Sequence, residues 1–300
     1  SSTGNSIGGT VNNGDADDII AVTKSGSSTW TLNGTNSNYT GPTTISGGVL
    51  EVVRLANGSS NSSIGASSNA AANLVFGAAS ATLRYTGSSN ASTDRGFTTS
   101  SGTGGGATIE SSGTGTLTLD NTVAIAFGTT DQTRTITLGG TNTGNNTFSK
   151  TLSNNGTSAT SLSKTGSGTW IVNGGNTFTG ATNISGGTLV VGSVGALTTS
   201  SAVNISSTTG SGTLRLATDT SVDAYIIGLS SNNPGTIISD RATSGAGLTH
   251  VLGAASVGSN TIHIQAGGNV ASGTAGISFA SLSLASGGGG TTLLNPVSSV

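Results

Sequence analysis

One stretch of the chain occurs twice: residues 162–191 read LSKTGSGTWIVNGGNTFTGATNISGGTLVV, and residues 22–52 read VTKSGSSTWTLNGTNSNYTGPTTISGGVLEV. The two copies align with one residue inserted in the first, and the aligned pairs include Lys24/Lys164, Trp30/Trp170, Tyr39/Phe178, Ile45/Ile184 and Leu50/Leu189. Self-similarity of this kind is the sequence signature of repeat architectures. A weaker match continues beyond each copy, so we expect two related segments, at about 22–140 and 162–290.

Within each copy the apolar residues sit singly or two apart, as in Trp30/Leu32 and Leu50/Val52. Alternation at period two predicts half-buried β-strands rather than helix or coil. Strand-like runs recur along the chain, separated by clusters of Gly, Asn and Ser, which is typical of all-β proteins. The clearest runs are Ile19–Thr23, Thr29–Asn33, Val49–Val53, Ala81–Tyr85, Gly115–Asp120, Thr133–Leu138, Thr188–Val191, Gly212–Leu216, Thr261–Gln265 and Ile277–Leu284.

Two all-β architectures fit this pattern. A β-solenoid with a narrow apolar core and coils of about 20–25 residues agrees with the repeat and with the Gly-containing corners. An antiparallel β-sandwich is the alternative, because Asn-Gly dipeptides at Asn33, Asn57, Asn155 and Asn173 are hairpin signals. No Pro-rich or charged linker divides the chain, so we predict an N-terminal edge segment at 1–21 and a continuous solenoid over 22–300.

The composition excludes several classes of protein. Ser, Thr and Gly supply 49, 51 and 50 of the 300 residues, and these are poor helix formers. Nine Lys and Arg residues spread along the chain do not supply the basic clusters that bind nucleic acids. No run approaches the ~18 apolar residues of a membrane span, and a chain without cysteine forms neither disulfides nor thiolate metal sites. We therefore expect no nucleic-acid partner and no membrane insertion of this segment.

The second copy, from Lys164 through Trp170 and Asn173 to Gly192, closely resembles the autotransporter-associated β-strand repeat. That repeat is found in passenger domains of bacterial autotransporters and in related large secreted surface proteins. The resemblance implies a right-handed parallel β-helix, which favours the solenoid over the sandwich. It also implies an extracellular location on a bacterial cell surface.

One acidic run is a candidate metal site. Asp15, Asp17 and Asp18 follow a glycine turn at Gly14, and carboxylate oxygens suit Ca²⁺. The run lacks the spacing of an EF-hand loop and does not match the nonapeptide calcium repeat. A solvated acidic turn is the default interpretation, and calcium is the one cofactor that we retain as a hypothesis.

The residues that could support catalysis are scattered. Cleavage of polysaccharides needs two nearby carboxylates, or a carboxylate with a Lys or Arg acting on a sugar acid. Outside the acidic run only Asp219 and Asp223 lie close in sequence. His250 and His263 have no evident carboxylate beside them, which predicts surface or core-edge residues. The aromatic residues at equivalent repeat positions favour packing at a coil corner, with sugar stacking as the alternative.

Two Asp-Arg dipeptides, Asp94-Arg95 and Asp240-Arg241, recur in the two segments. Adjacent residues on a strand point to opposite faces, so we expect these side chains to pair with neighbouring coils rather than with each other.

These observations predict a non-enzymatic, extracellular structural or adhesive protein, a β-helix rod that serves as a stalk, an adhesin or a self-assembling matrix fibre. A carbohydrate-binding or carbohydrate-degrading β-helix is the alternative. The expected partners are further copies of the chain, stacked head to tail because each terminal coil exposes an unpaired edge, and glycans of a host or matrix surface.

Overall fold

The computed structural model describes residues 4–15, 17–100, 104–120, 123–199, 201–205, 212–229, 234–258 and 261–284, together with the backbone of 293–296. The chain divides into two compact units, Ser1–Thr160 and Ser161–Val300. The boundary falls just before the second copy of the repeat. That the two segments form one continuous solenoid stays a prediction.

The first unit is built from short strands that follow one another around successive coils. They are β1 (Asn5–Ile7), β2 (Val22–Lys24), β3 (Thr29–Leu32), β4 (Thr43–Ile45), β5 (Val49–Val52), β6 (Leu74–Phe76), β7 (Thr82–Tyr85), β8 (Ala91–Thr93), β9 (Thr98–Thr99), β10 (Gly106–Ser111), β11 (Leu117–Leu119), β12 (Ala126–Phe127), β13 (Arg134–Gly139) and β14 (Asn146–Phe148). A single 3-10 turn, Ala71–Asn73, precedes β6. No α-helix occurs among the described residues.

Three rows of strands line this unit, in the orders β1-β3-β5-β7-β10-β13, β2-β4-β6-β9-β12 and β8-β11-β14. The pairing within these rows is parallel, as in β3 with β5 and β7 with β10. Each strand therefore pairs with the equivalent strand one coil later, which is the arrangement of a parallel β-solenoid.

The second unit repeats this architecture. Its strands are β15 (Thr160–Lys164), β16 (Thr169–Val172), β17 (Thr182–Ile184), β18 (Thr188–Val191), β19 (Ala202–Ile205), β20 (Thr213–Ala217), β21 (Ile226–Leu229), β22 (Gly235–Asp240), β23 (Gly245–Ala246), β24 (Thr249–Val257), β25 (Thr261–Ala266), β26 (Val270–Ser272), β27 (Gly276–Leu284) and β28 (Leu293–Pro296). They form the parallel rows β15-β17-β19-β21-β24-β27 and β16-β18-β20-β22-β25-β28, with β23 and β26 as a separate pair.

The prediction of a β-solenoid is thus confirmed, and the antiparallel sandwich is wrong. The Asn-Gly dipeptides do not make sandwich hairpins: Asn33 and Asn173 follow β3 and β16 at coil corners. Antiparallel pairing among the described residues is confined to two isolated bridges, Ser37 with Ser62 and Asn155 with Ser158.

The core of each unit contains a narrow column of apolar side chains. In the first unit Leu50 pairs with Leu83, Leu83 with Ile109 and Ile109 with Leu138, and all are buried. In the second unit Trp170, Leu189, Leu214 and Ile237 form the equivalent column. Within each column, the side chain of one coil stacks on the equivalent side chain of the next coil. The alternating apolar pattern of a strand therefore identifies the residues that face the core.

Coil length varies more than the expected 20–25 residues. Trp30 pairs with Leu50, an offset of 20 residues, whereas Leu50 pairs with Leu83, an offset of 33. The extra residues of the longer coil leave the strand register intact because they are accommodated between β5 and β6. Coil corners can therefore take up insertions without disturbing the core.

A Ser-Gly-Gly turn precedes the last strand of each repeat copy and requires its second glycine. Gly48 and Gly187 have φ values of +63° and +62°. A Cβ at Gly187 would lie 2.3 Å from the carbonyl oxygen of Gly168, and one at Gly48 would lie 2.5 Å from that of Ser28. Only glycine allows the two coils to approach this closely.

Candidate functional site

The repeat places a lysine inside a corner of the coil. In the first copy the Nζ of Lys24 donates to the carbonyl oxygens of Ser25, Gly26 and Gly47 at 2.8, 2.9 and 2.9 Å. In the second copy the Nζ of Lys164 donates to the carbonyl oxygens of Thr165, Gly166 and Gly186 at 2.7, 3.1 and 3.0 Å. The third acceptor in each set belongs to the next coil, so the ammonium group joins two successive turns.

Burial lowers the pKa of Lys164 from 10.5 to about 8. The pKa of Lys24 is also lowered by burial. A buried ammonium group is costly without hydrogen bonds, and the three carbonyl oxygens use all three of its donors. The lysines of the repeat are therefore structural, and neither lies beside a carboxylate with which it could perform acid–base chemistry.

Three further cations are buried in the same manner. Arg95 donates to the carbonyl oxygens of Ala56 and Gly65, Arg134 to those of Thr129 and Thr133, and Lys150 to those of Asp120 and Val123. Desolvation lowers the pKa of Lys150 to about 8, with nearby Asp94 and Asp120 opposing that shift. Such carbonyl groups lie at corners, where they are outside the strand ladders.

The outward faces of the strands carry polar ladders. Arg84 on β7 pairs with Glu51 on β5 at 2.9 Å and with Glu110 on β10. The ladder ends at Thr31, whose hydroxyl donates to Glu51 at 3.0 Å. In the second unit the amide of Asn204 donates to the side-chain oxygen of Asn183 at 2.9 Å. These contacts link coils side by side, and the ion pairs of Arg84 are partly buried, with side-chain exposures between 21% and 30%.

The Asp-Arg dipeptide of the second unit pairs with neighbouring coils as expected. Asp240 is buried and accepts from the Nε of Arg215 at 2.7 Å, and Arg241 pairs with Asp219 at 3.2 Å. In the first unit the contacts differ: Asp94 accepts from the backbone N–H of Gly58 at 2.7 Å, and Arg95 is bound by carbonyl oxygens.

The aromatic residues of the repeat behave differently in the two copies. Trp170, Tyr39 and Phe178 are completely buried, which agrees with packing at the coil corner. Trp30 is 38% exposed, and it lines a cavity of about 250 Å³ with Ile7, Leu32 and Leu50. Its neighbour in the row is the three-residue strand β1, which covers the indole incompletely.

The acidic run lies on an exposed turn. Asp15, Asp17 and Asp18 are exposed, and one carboxylate oxygen of Asp18 accepts from the backbone N–H of Asp15 at 3.0 Å. Among the residues that the structure describes, no group of three His, Cys, Asp or Glu side chains is arranged to hold a metal ion. Calcium binding by this turn stays a prediction.

The residues weighed for catalysis are engaged separately. Asp219 accepts from the N–H and hydroxyl of Thr243, whereas Asp223 accepts from the N–H of Gly195 at 2.8 Å. His250 is fully buried rather than at the edge of the core; its Nε2 contacts the carbonyl oxygen of Asp240 at 3.0 Å and its Nδ1 accepts from Val222. Desolvation lowers the pKa of His250, so the imidazole is neutral near pH 7. His263 lies on β25 and is half-buried.

The first unit contains a groove of about 760 Å³ that the sequence analysis missed. It follows one corner through three successive coils, from Thr35 past Arg54 and Asn57 to the loop between Tyr85 and Ser92. Most of the residues that line this groove are Ser, Thr or Asn, and the cationic residue among them is Arg54. The sequence signal that could have indicated this groove is a difference in length between the two copies. Leu50 and Ile64-Gly-Ala are separated by nine more residues than Leu189 and Val194-Gly-Ala.

Among the described residues no helix is long and apolar enough to cross a membrane.

Comparisons with known proteins agree with the resemblance seen in the sequence. The model of the passenger-associated-transport repeat matches residues 22–52 and 162–191, the two copies quoted above. The adhesin BmaC autotransporter of Brucella suis biovar 1 (strain 1330) is 46% identical over 169 residues, which is 56% of this chain and 5% of that protein. The chain therefore spans a small part of this relative's length. No solved structure matches. The chain carries autotransporter passenger-like repeats, and they build a parallel β-solenoid.

Proposed function

We propose that this chain is a non-enzymatic segment of an extracellular bacterial surface protein, in which the β-solenoid presents an adhesive surface. The observation that carries the proposal is the role of the repeat residues: Lys164, Trp170 and Leu189 are buried in the coil, and none of them lies in an open site. The repeat thus builds a scaffold, and recognition is left to the outward faces. The likeness to a protein named as an autotransporter adhesin supports the same function and location.

The absence of a catalytic constellation among the described residues favours the non-enzymatic form of this proposal over a carbohydrate-degrading one. Glycosidases bring two carboxyl groups together, at about 5–10 Å across the scissile bond. Here Glu51 and Glu110 are both neutralised by Arg84, and Asp219 and Asp223 have separate partners. Incubation with soluble polysaccharides should release no new reducing ends, and sustained release would overturn this part of the proposal.

Adhesion is tested with purified residues 1–300 coated on fluorescent beads. We expect the beads to remain on epithelial cell layers or on extracellular matrix after washing. Beads coated with the Leu189→Asp variant, which places a charge in the core, are the matched control for a disrupted solenoid. Equal retention of the two kinds of bead on every surface would contradict an adhesive solenoid.

The second part of the proposal is head-to-tail self-association. Ile277, Phe279, Leu282 and Leu284 of β27 occupy the register of the buried β24 residues. Leu282 and Leu284 are nevertheless 37% and 49% exposed because β27 is the last described strand of its row. In the first unit β1 pairs on one side only and its Ile7 is 37% exposed, while Ile19, which lies outside the strands, is 75% exposed. An uncovered strand edge with apolar side chains is a template for another chain.

Stacking of this kind is heterologous and does not close, so it predicts filaments rather than dimers. Light scattering and negative-stain microscopy of residues 1–300 should show elongated assemblies. These assemblies should disappear on deletion of residues 1–21 and, independently, in the Leu284→Lys variant. Monodisperse monomers of the parent chain at high concentration would refute filament formation and leave the adhesive function untouched.

A further inference from the structure

Arg54 forms no ion pair with a carboxylate side chain in the part of the chain that the structure describes. Of the nine Lys and Arg residues, all within the described part of the chain, five are buried against carbonyl oxygens and three pair with carboxylates. Arg54 is the remaining one: it is exposed, and its one described side-chain contact runs from Nη1 to the carbonyl oxygen of Thr35, at 3.1 Å. In a chain with so few charges, a single uncompensated guanidinium in a groove is a distinct feature.

Arg54 is held in position from both its backbone and its side chain. Its N–H donates to the hydroxyl of Ser63 at 3.1 Å, and its carbonyl oxygen accepts from the N–H of Ser63 at 3.0 Å. The contact with Thr35, which belongs to the preceding coil, anchors one edge of the guanidinium. The remaining N–H groups are thereby presented without the large entropic cost of ordering a free arginine.

The opposite wall of the groove is also fixed. Tyr85 is buried, and its hydroxyl donates to the carbonyl oxygen of Ser89, which ties down the loop between β7 and β8. Gly87 lies so close to its neighbours that a Cβ would approach the Tyr85 hydroxyl oxygen and the Val53 carbonyl oxygen to 2.3 Å. The groove is therefore a formed feature between two rigid corners.

The carboxylates nearest the groove already have partners. Asp120 accepts from the hydroxyl of Ser92 at 3.0 Å, and Asp94 accepts from the amide of Asn69 at 2.9 Å. Buried Lys150 interacts electrostatically with both carboxylates, and Arg95 does so with Asp94. Arg54 is thus not needed to neutralise either of them, and its charge is available to a ligand.

We infer that this groove binds an acidic polysaccharide, with the carboxylate of a uronic acid residue on Arg54. A planar guanidinium matches a planar carboxylate through two parallel hydrogen bonds. A single cation suits a sugar with one charge, whereas highly sulfated or phosphorylated polymers call for clusters of Lys and Arg. Ser60, Ser88 and Asn90, which line the groove, supply donors and acceptors for sugar hydroxyls. This inference rests on the proposed adhesive function and names the ligand class of one surface.

The difference between the two repeat copies supports this assignment. The position that follows the shared strand by two residues is Arg54 in the first copy and Ser193 in the second. Leu50 pairs with Leu83 across 33 residues, whereas Leu189 pairs with Leu214 across 25. The groove is therefore built by the insertion that distinguishes the first copy, and packing of the repeat does not require it.

The test measures binding of the full 300-residue chain to oligosaccharides of hyaluronan, a host uronate polymer, and of alginate, a bacterial one. We expect the parent to bind at least one of them, and carboxyl-reduced forms to bind at least tenfold more weakly. Arg54→Gln should lose at least tenfold in affinity and Arg54→Lys less, because an ammonium group lacks the planar fork. Ser88→Trp should block the groove without changing charge. Arg241→Gln, the same charge change in the other unit, is the matched control and should stay within twofold.

The two oligosaccharides distinguish a host ligand from a matrix ligand. Failure of both to bind, unchanged affinity in Arg54→Gln, or an equal loss in Arg241→Gln would overturn the inference. Bead adhesion separates this inference from the function on which it rests. If Arg54→Gln beads adhere like the parent, adhesion stands and the groove is not its site; if parent beads fail to adhere while uronate binding follows Arg54, the groove stands and the adhesive function falls.

Discussion

Buried cations that donate to carbonyl oxygens recur at the corners of this protein, and Lys164 illustrates their role. A parallel solenoid satisfies the backbone along its strands, but carbonyl groups at the turns point away from the ladders. The ammonium group of Lys164 gathers three of them from two successive coils. The N–H donors of the ammonium group stabilise the fold by satisfying these carbonyl oxygens. Its charge does not, because burial disfavours the charged form and thereby lowers the pKa of Lys164.

Replacing Lys164 by methionine should therefore destabilise the protein. Lys164→Met keeps the length of the side chain but leaves three carbonyl groups without their donor, and we expect a loss of about 2–4 kcal/mol in the free energy of unfolding. Denaturant midpoints measure this loss. Arg54→Met removes a cation with one exposed carbonyl contact, so it should change stability by less than about 1 kcal/mol. Equal effects of the two substitutions would argue against a structural role for the buried lysine.

The same lysines give stability a defined dependence on pH. The pKa values of Lys164 and Lys150 are about 8 in the folded chain and near 10.5 when unfolded. Between pH 8 and 10 the unfolded chain therefore binds more protons, and the free energy of unfolding rises with pH, by about 1–3 kcal/mol per lysine. Above pH 10 it should fall again, because burial raises the pKa of Tyr39 to about 12 and that of Tyr225 as well.

Urea titrations at pH 7, 8, 9, 10 and 11 measure this profile. Lys164→Met should remove about half of the rise between pH 8 and 10 and leave the decline above pH 10 in place. A stability that falls steadily from pH 7 to 10 in the parent would contradict the lowered pKa values of Lys164 and Lys150.

Single residues also mark where sequence reasoning stops. Trp30 and Trp170 are equivalent in the alignment, yet one is exposed and the other buried. The difference comes from what lies on the neighbouring strand, which the repeat motif does not encode. The sequence did not single out Arg54 for a related reason. The groove in which Arg54 lies is made by three coils, and residues in different coils are distant in sequence.

At the scale of elements, each of the ten runs named from the sequence overlaps one of the 28 strands that the structure describes. The runs at Val49–Val53, Thr188–Val191 and Ile277–Leu284 coincide with β5, β18 and β27 to within one residue. Alternating apolar residues sufficed because each strand buries one face on a narrow core. The pairing partners were less predictable, because the number of residues between paired strands ranges from 20 to 33 in the first unit alone.

The core column predicts the effect of a charge within a strand. Leu189→Asp places a carboxylate without a partner between Trp170 and Leu214, so we expect a loss of several kcal/mol and a lower melting temperature. Thr188→Asp, on the adjacent outward-facing position, should cost less than about 1 kcal/mol. Circular dichroism melting of both variants decides the matter, and similar melting would mean that Leu189 does not face the core.

At the scale of the whole molecule, the residues that build the scaffold differ from those that we propose for recognition. The repeat residues fill the cores of the two units, while the Ser, Thr and Asn residues of the corners and outward faces are left to meet a surface. The all-β class could be predicted from the alternating apolar pattern, whereas the preference for a solenoid over a sandwich came from the resemblance of the repeat to a known family. The groove that we propose as a binding site is lined by residues from several coils, so the sequence alone could not locate it.

Engineered cysteine pairs test the parallel stacking of coils most directly, because the natural chain contains no cysteine. Thr118 pairs with Thr147 in the first unit and Ser163 with Asn183 in the second, all on outward positions. Neighbouring strands lie about 4.8 Å apart, which suits a disulfide. The control pairs Ser92/Thr147 and Ser163/Asn204 skip one coil and are separated by about twice that distance.

After mild oxidation of the double-cysteine variants, mass spectrometry under non-reducing conditions counts the disulfides. Thr118→Cys/Thr147→Cys and Ser163→Cys/Asn183→Cys should each form one intramolecular bond in nearly all molecules, and the two control pairs should remain reduced. Reduced thiols in the first two variants, or disulfides formed equally in all four, would contradict the stacked parallel coils from which the whole account proceeds.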